Sequence, residues 1–164
     1  MDRLLNKSFH SMHRIADMLC LNFGNDLRKT IRLGKCVLSD RVYPAYSLHL
    51  QVQWRLIHNN KILLGSRDIY KPYSATVDES EWDYSLTGRP DDESSLFDVV
   101  SKQLTKNLLG HYVTQCEQSP FGDIRITFSN DYVFEIFIPA SYQDEEWRLI
   151  DFSTDEHLIF YDVD

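Results

Sequence analysis

Across residues 46–55 the chain alternates without a break: Tyr46, Leu48, Leu50, Val52 and Trp54 fall on one parity, and Ser47, His49, Gln51, Gln53 and Arg55 on the other. Period two is the repeat of an extended chain, whose successive side chains point to opposite faces of a sheet, so this stretch predicts a strand with one buried side. A strand leaves its backbone donors and acceptors open and needs a partner beside it. The sequence supplies one directly: Asn59-Asn60 separates Leu56-Ile57-His58 from Ile62-Leu63-Leu64, and Asn tolerates the positive φ of a two-residue hairpin turn. A second hairpin is as legible. Ile124, Ile126 and Phe128 alternate with Arg125 and Thr127, Asn130-Asp131 turns the chain, and residues 133–138 bring it back as far as Pro139.

Residues 18–23 before Gly24, 112–117, 146–152 and 157–161 read as further strands, and residues 8–13 as a short one, although Leu5, Phe9 and Met12 also suit a helix. One segment has a different period. After Ser94-Ser95, Leu96, Val99, Val100, Leu104 and Leu108 recur at helical spacing up to Gly110, with Asp92 and Glu93 near the start and Lys102 and Lys106 further on, as the helix dipole favours. The expected fold is α+β: a mainly antiparallel sheet of about seven or eight strands, curled or closed into a half-barrel or sandwich, with one amphipathic helix packed on it. No repeat, linker or low-complexity tract divides the 164 residues, so residues 1–164 read as a single domain. With 43% hydrophobic and 13% aromatic residues, the chain has ample material for a core.

The net charge of −8 conceals an asymmetry. Residues 1–77 carry twelve Lys and Arg against five acids, and residues 78–164 carry five against twenty. The acids concentrate in two polar stretches. One holds Asp78, Glu79, Glu81, Asp83, Asp91, Asp92 and Glu93, in what reads as a surface loop ahead of the helix. The other holds Asp144, Glu145 and Glu146. Residues 28–41 supply a modest basic cluster of Arg28, Lys29, Arg32, Lys35 and Arg41, but the charge of the whole chain opposes a nucleic-acid polyanion. No apolar run approaches the length of a membrane helix, and charged residues interrupt the first twenty positions, so neither export nor insertion is expected. Cys20, Cys36 and Cys116 are too widely spaced for a zinc or redox pair and odd in number, which suits reduced thiols in a cytoplasmic protein.

Five blocks recur in order along most of the chain: Arg14-Ile15-Ala16-Asp17-Met18-Leu19 with Leu21 and Phe23-Gly24; Ser47-Leu48-His49-Leu50-Gln51 with Trp54-Arg55; Ile62-Leu63-Leu64-Gly65-Ser66-Arg67-Asp68-Ile69-Tyr70; Ile126-Thr127-Phe128-Ser129-Asn130; and Glu145-Glu146-Trp147-Arg148. In these blocks the chain resembles a group of small uncharacterised bacterial proteins. The resemblance implies a compact bacterial cytosolic domain of phage or defence-related context, and brings with it no activity, ligand or catalytic residue.

Motifs for chemistry are missing from the sequence. The six glycines are never closer than ten residues, so neither a phosphate-binding loop nor a dinucleotide fingerprint is present. His10-x-x-His13 would place two imidazoles together only on a helix, and no GxSxG elbow or Glu-x-Lys element occurs. His49 and His111 lack a partner marked by spacing among Ser47, Ser66, Asp68 or Cys116, so no catalytic residue, metal or cofactor is assigned.

The expectation is therefore an acidic interaction protein that binds and neutralises another protein, as immunity proteins and phage anti-defence proteins do. Its two acidic stretches would meet a partner with a basic surface. The alternative is a small-molecule or nucleotide-binding domain with an aromatic-lined pocket and His49, Arg55 and Arg67 as polar contacts. An enzyme ranks last, because no nucleophile, base and orienting group are marked by spacing.

Overall fold

Why a chain with this pattern folds as it does is clearest at the aromatic centre, where Phe9 meets Phe128 edge-on at 5.8 Å and Phe23 stacks on the same ring at 6.3 Å. Phe134 and Trp54 extend the cluster to Phe97. Edge-to-face contacts suit the ring quadrupole, and each large side chain fully buried stabilises the fold by about 1.5–3 kcal/mol. The computed structural model describes residues 1–33, 36–139, 141 and 144–160.

Among these residues ten strands form two antiparallel five-stranded sheets whose inner faces share this core. The strands are β1 (Phe9–Ile15), β2 (Met18–Leu33), β3 (Cys36–Leu50), β4 (Gln53–His58), β5 (Lys61–Gly65), β6 (Val113–Gln118), β7 (Ile124–Phe128), β8 (Val133–Phe137), β9 (Trp147–Asp151) and β10 (Glu156–Phe160). The first sheet has the order β1-β2-β3-β9-β10 and the second β5-β4-β8-β7-β6. The sheets also touch along a seam: Asn6 N–H donates to the Val113 carbonyl, Val113 N–H to that of Lys7, and Phe9 N–H to that of His111. No helix among the described residues is long and apolar enough to cross a membrane.

Both hairpins read from the sequence are present. Asn59 and Asn60 have φ of +50° and +58°, the primed-turn geometry, and Asp131 at φ +62° reverses the chain between β7 and β8. The expected strand at residues 46–55 is corrected to two. The chain leaves the first sheet at Leu50 and enters the second at Gln53, with Gln51 donating its N–H to the Glu146 carbonyl at the corner. Val52 is buried at that corner between Leu50 and Trp54, so the inward parity runs through the bend unbroken.

Gly24 does not end its strand. With φ +80° it opens a bulge between Phe23 and Asp26, beyond which β2 continues to Leu33 paired with β3 alone. The strands number ten rather than the expected seven or eight, with the division of the 46–55 stretch between two sheets adding one. At the chain start, Asp2–Leu4 form a single 3-10 turn before β1. Lys35 of the basic cluster and Tyr161 of the last expected strand lie outside the described residues.

The helix, α1 (Leu96–Leu108), begins where Ser95 accepts a hydrogen bond from Asp98 N–H at 3.0 Å, the N-cap arrangement that satisfies an otherwise open donor. Its buried stripe is Phe97, Ser101, Leu104 and Leu108, with Val100 partly buried beside the core, rotated from the expected Leu96, Val99, Val100, Leu104 and Leu108. The rotation follows from its seat: α1 lies against edge strands from both sheets, β1 and β5, rather than across one sheet face. Trp54 and Trp147 point into the core and Arg55 and Arg148 away from it, as alternation requires.

Candidate functional site

An arginine on the inner parity of β1 organises one end of the molecule. The Arg14 side chain is 1% exposed, and its Nε and Nη2 donate to the two carboxylate oxygens of Asp98 at 2.8 and 2.7 Å. Nη1 donates to the Ala16 carbonyl at 2.7 Å, and Nη2 also donates to the Tyr84 carbonyl at 2.8 Å. The planar guanidinium thus ties together the first turn of α1, the β1–β2 turn, where Ala16 has φ +53°, and the acidic loop. Burial pushes the Asp98 carboxyl up, but hydrogen bonds from Arg14 and Ser95 and the Arg14 charge outweigh it and hold the group below its ordinary range.

The acidic loop is pinned along its length. Asp78 accepts from Ser80 Oγ and N–H at 2.7 and 2.9 Å, and Asp83 is held by the Ser85 side chain and by its N–H at 2.9 Å, which keeps both carboxyls below the ordinary range. Trp82 Nε1 donates to the Glu93 carbonyl at 2.9 Å, Lys71 pairs with Glu79, and Lys102 pairs with Asp91 at 2.6 Å. Glu81 lines a small hollow with Trp82 and Arg89, and Asp92 and Glu93 are exposed on a 3-10 turn before the helix. Exposed apolar side chains punctuate the same segment: Tyr73, Tyr84 and Leu86, with Tyr70 just ahead of them. Tyr70 and Tyr84 meet edge-on at 4.7 Å, and the Tyr70 hydroxyl donates to Asp17 at 3.2 Å.

Tyr70 also lines an open groove of about 300 Å³ with Asp17, Gln51, Gln53, Ser66 and Arg67. Gln51 carries the groove to the second acidic stretch, because its N–H donates to the Glu146 carbonyl at 3.1 Å. The structure therefore joins both stretches to one rim, the first through Tyr70 and Tyr84 and the second through Gln51. In that second stretch Asp144 is exposed, whereas Glu145 and Glu146 are partly buried rather than fully solvated. Glu145 pairs with Arg148, and burial together with the Asp144 charge raises the Glu146 carboxyl.

The three residues expected to contact a small ligand stand on different surfaces. His49 lies on the outer face of the first sheet between Cys20 and Arg148, its imidazole pushed down by burial and then by His13 and Arg148. Arg55 is on the outer face of the second sheet, bonded to Glu135 at 2.7 Å and lying over the Phe137 ring at 5.1 Å. Only Arg67 lines the groove.

The remaining candidates have local structural roles. His111 bonds Ser129 at 3.0 Å, Asp68 accepts from Gly65 N–H at 2.8 Å, and His10 bonds Ser11 and Asp26 from a strand rather than a helix. Burial pushes the Cys20 and Cys116 thiols up to about 11, away from nucleophilic character. Among the described residues no three His, Cys, Asp or Glu side chains converge as metal ligands.

The sequence reading found the carboxylates of this surface but missed Asp17, Tyr70 and Tyr84 that stand among them. Their only signal was the density of tyrosine beside acid in residues 70–84. Comparison with protein-family models, curated proteins and solved structures finds no match to this chain.

Proposed function

We propose that this protein binds a basic surface of another protein and neutralises it, as an immunity protein or a phage anti-defence inhibitor does, through the rim built from the acidic loop, Tyr70, Tyr84 and residues 144–146. The observation that carries the reading is the exposed Tyr70–Tyr84 edge-to-face pair, beside a loop whose backbone is tied down by Arg14 at Tyr84 and by Trp82 at Glu93 and whose Glu79 and Asp91 carboxylates pair with Lys71 and Lys102. Tyrosine offers a large contact area with little rotamer freedom to lose, and a pre-ordered loop lowers the entropy cost of association. The surrounding negative charge steers a basic partner and sets the salt dependence of its arrival.

Affinity capture from the native host with the wild-type chain and two charge-reversed variants tests the reading. One variant carries Asp78→Lys, Glu81→Lys and Asp83→Lys; the other carries Asp40→Lys, an exposed position away from the rim. The expected result is one stoichiometric partner, released by salt, that the first variant loses and the second retains. Tyr84→Ala should weaken the same complex by tenfold or more, as expected of an aromatic anchor worth about 1.4 kcal/mol or above. Equal capture by all variants removes the proposal.

A second reading rests on Arg67, which lines the groove without an ion-pair partner among the described residues. It supports a small anionic ligand such as a nucleotide, and a thermal-shift panel distinguishes it from protein binding, since a ligand at a hundred times its Kd stabilises by about 2.7 kcal/mol. Tyr70 is the aromatic side chain in the lining of this groove, whereas Phe9, Phe23, Trp54, Phe97, Phe128, Phe134 and Trp147 pack in the core.

A further inference from the structure

We infer that the loop between β6 and β7 is a self-docking element: Phe121 of one copy enters the groove beside the same loop on a second copy, and the reverse, to form a two-fold dimer. Phe121 is 77% exposed, more than any other large hydrophobic side chain among the described residues. Its loop backbone is tied by several hydrogen bonds. Ser119 N–H donates to the Asp123 carbonyl at 2.8 Å, Gly122 N–H donates to the Ser119 carbonyl at 3.0 Å, and Ser119 Oγ accepts from Phe121 and Asp123 N–H groups at 3.2 and 3.1 Å. The loop is also moored to the body, because Trp147 Nε1 donates to the Gly122 carbonyl at 3.0 Å and Asp123 accepts from Ile138 N–H at 2.8 Å. The phenyl ring is thus presented to water from a backbone fixed in place, a knob that its own chain does not cover.

The matching hole is next to it. Ser119 and Asp123, the two ends of the loop, also line a groove of about 370 Å³ whose other walls include Ile124, Arg125, Glu135 and Phe137. A knob and a hole that share a rim favour a closed two-fold exchange, whereas a distant pair would propagate into an open chain.

The charges beside the groove point to the same occupant. Arg55, Glu135, Arg125 and Glu117 are successive cross-strand partners over β4, β8, β7 and β6, so the sign alternates along the row. Both arginines bond the Glu135 carboxylate. A balanced, alternating row offers nothing to a uniformly basic or acidic partner. It complements the same row running in the opposite direction, which is what a two-fold axis presents. The inference uses none of the residues of the acidic rim and stands or falls separately from the proposed function.

Two aromatic knobs of about 150–250 Å² each fall short of the roughly 800 Å² per partner of a standard stable interface, so dimerisation in the micromolar range is expected. Sedimentation velocity on the full chain from about 1 to about 200 μM brackets that range. The wild type should shift from monomer to dimer, and Phe121→Ser should remain monomeric throughout with an unchanged far-UV spectrum. A wild type that stays monomeric, or a Phe121→Ser chain that dimerises like it, overturns the inference. Should Phe121→Ser misfold, Phe121→Trp keeps the knob and reports on it: acrylamide quenching above the wild-type background should fall as concentration rises. Quenching that is independent of concentration overturns the inference equally.

Discussion

Arg14 on β1 and Asp98 in the first turn of α1 form a two-point ion pair across 84 positions of sequence, with both contacts at 2.8 Å or less. Because Arg14 also bonds the carbonyls of Ala16 and Tyr84, one buried cation fixes the strand, the turn, the helix start and the acidic loop relative to each other. The rim on which the proposed function rests therefore depends on a group that a partner would never touch.

Breaking this pair from one side should be costly. Asp98→Ala leaves a guanidinium in the interior with two carbonyl acceptors and no countercharge, and the expected loss is about 3–5 kcal/mol in urea unfolding. The double replacement Arg14→Met with Asp98→Leu removes both charges and should recover most of that loss. Hydrogen exchange separates stability from loop order: the double variant should exchange faster at residues 84–86, since Tyr84 loses its anchor. A double variant no more stable than Asp98→Ala would show that the pair itself, rather than the stranded charge, dominates.

Ser95 offers a smaller and cleaner test. It is fully buried, and its hydroxyl accepts the N–H of Asp98 at 3.0 Å. Ser95→Ala should cost about 1 kcal/mol, within the 0.5–2 range of lost caps, and Ser95→Asn should restore part of it if the buried site admits the larger side chain. The measurement is the urea midpoint at constant slope.

The elements with a buried face were legible from the chain, and those without one were not. Ile124, Ile126 and Phe128 declare β7 because one side meets the core, and Asn59-Asn60 declares its turn because both residues need positive φ. From Asp26 to Leu33, β2 pairs only with β3, and Lys29 interrupts the apolar parity of Leu27, Ile31 and Leu33, so the extension beyond Gly24 is only weakly marked. The corner at Gln51 and Val52 was hidden for the opposite reason: Leu50, Val52 and Trp54 are all buried, and an unbroken parity looks like an unbroken strand. At the candidate site, the charge of Asp78 to Glu93 was visible as composition. The bond from Arg14 to Tyr84 joins residues 70 positions apart, and no local pattern encodes it.

Two glycines with nearly equal backbones should respond differently to the same change. Gly24 has φ +80° and Gly110 φ +82°, so an added side chain is strained at both, by about 1 kcal/mol. At Gly110 a Cβ meets nothing within 4 Å, whereas at Gly24 it would lie 2.8 Å from the Ala45 Cβ across the bulge. Gly24→Ala should therefore lose about 1–3 kcal/mol more than Gly110→Ala, since two packed backbones must move apart. The Gly24→Ala, Ala45→Gly double variant should recover the difference but not the φ strain, and failure to do so would place the cost elsewhere in the bulge.

Acid should weaken the fold in two separate windows with different owners. Burial, then the nearby His13 and Arg148, lowers the His49 imidazole below its ordinary 6.5, so the folded chain keeps it neutral where the unfolded chain takes up a proton. Below pH 6.5 the unfolded state binds more protons, and stability falls with pH until the folded-state value is passed. Burial lowers the His13 imidazole as well, so His49→Gln should reduce the slope of the urea midpoint against pH in that window, and His13→Gln with His49→Gln should reduce it further, with little change at pH 8. Asp98 acts lower down. Its folded carboxyl sits below the ordinary 3.8, so its contribution is complete above that value and disappears as the pH drops through the folded one. Asp98→Asn should start less stable at neutral pH and lose less below pH 3.8. Identical slopes for wild type and His49→Gln between pH 7 and 5 would assign the upper window to another group.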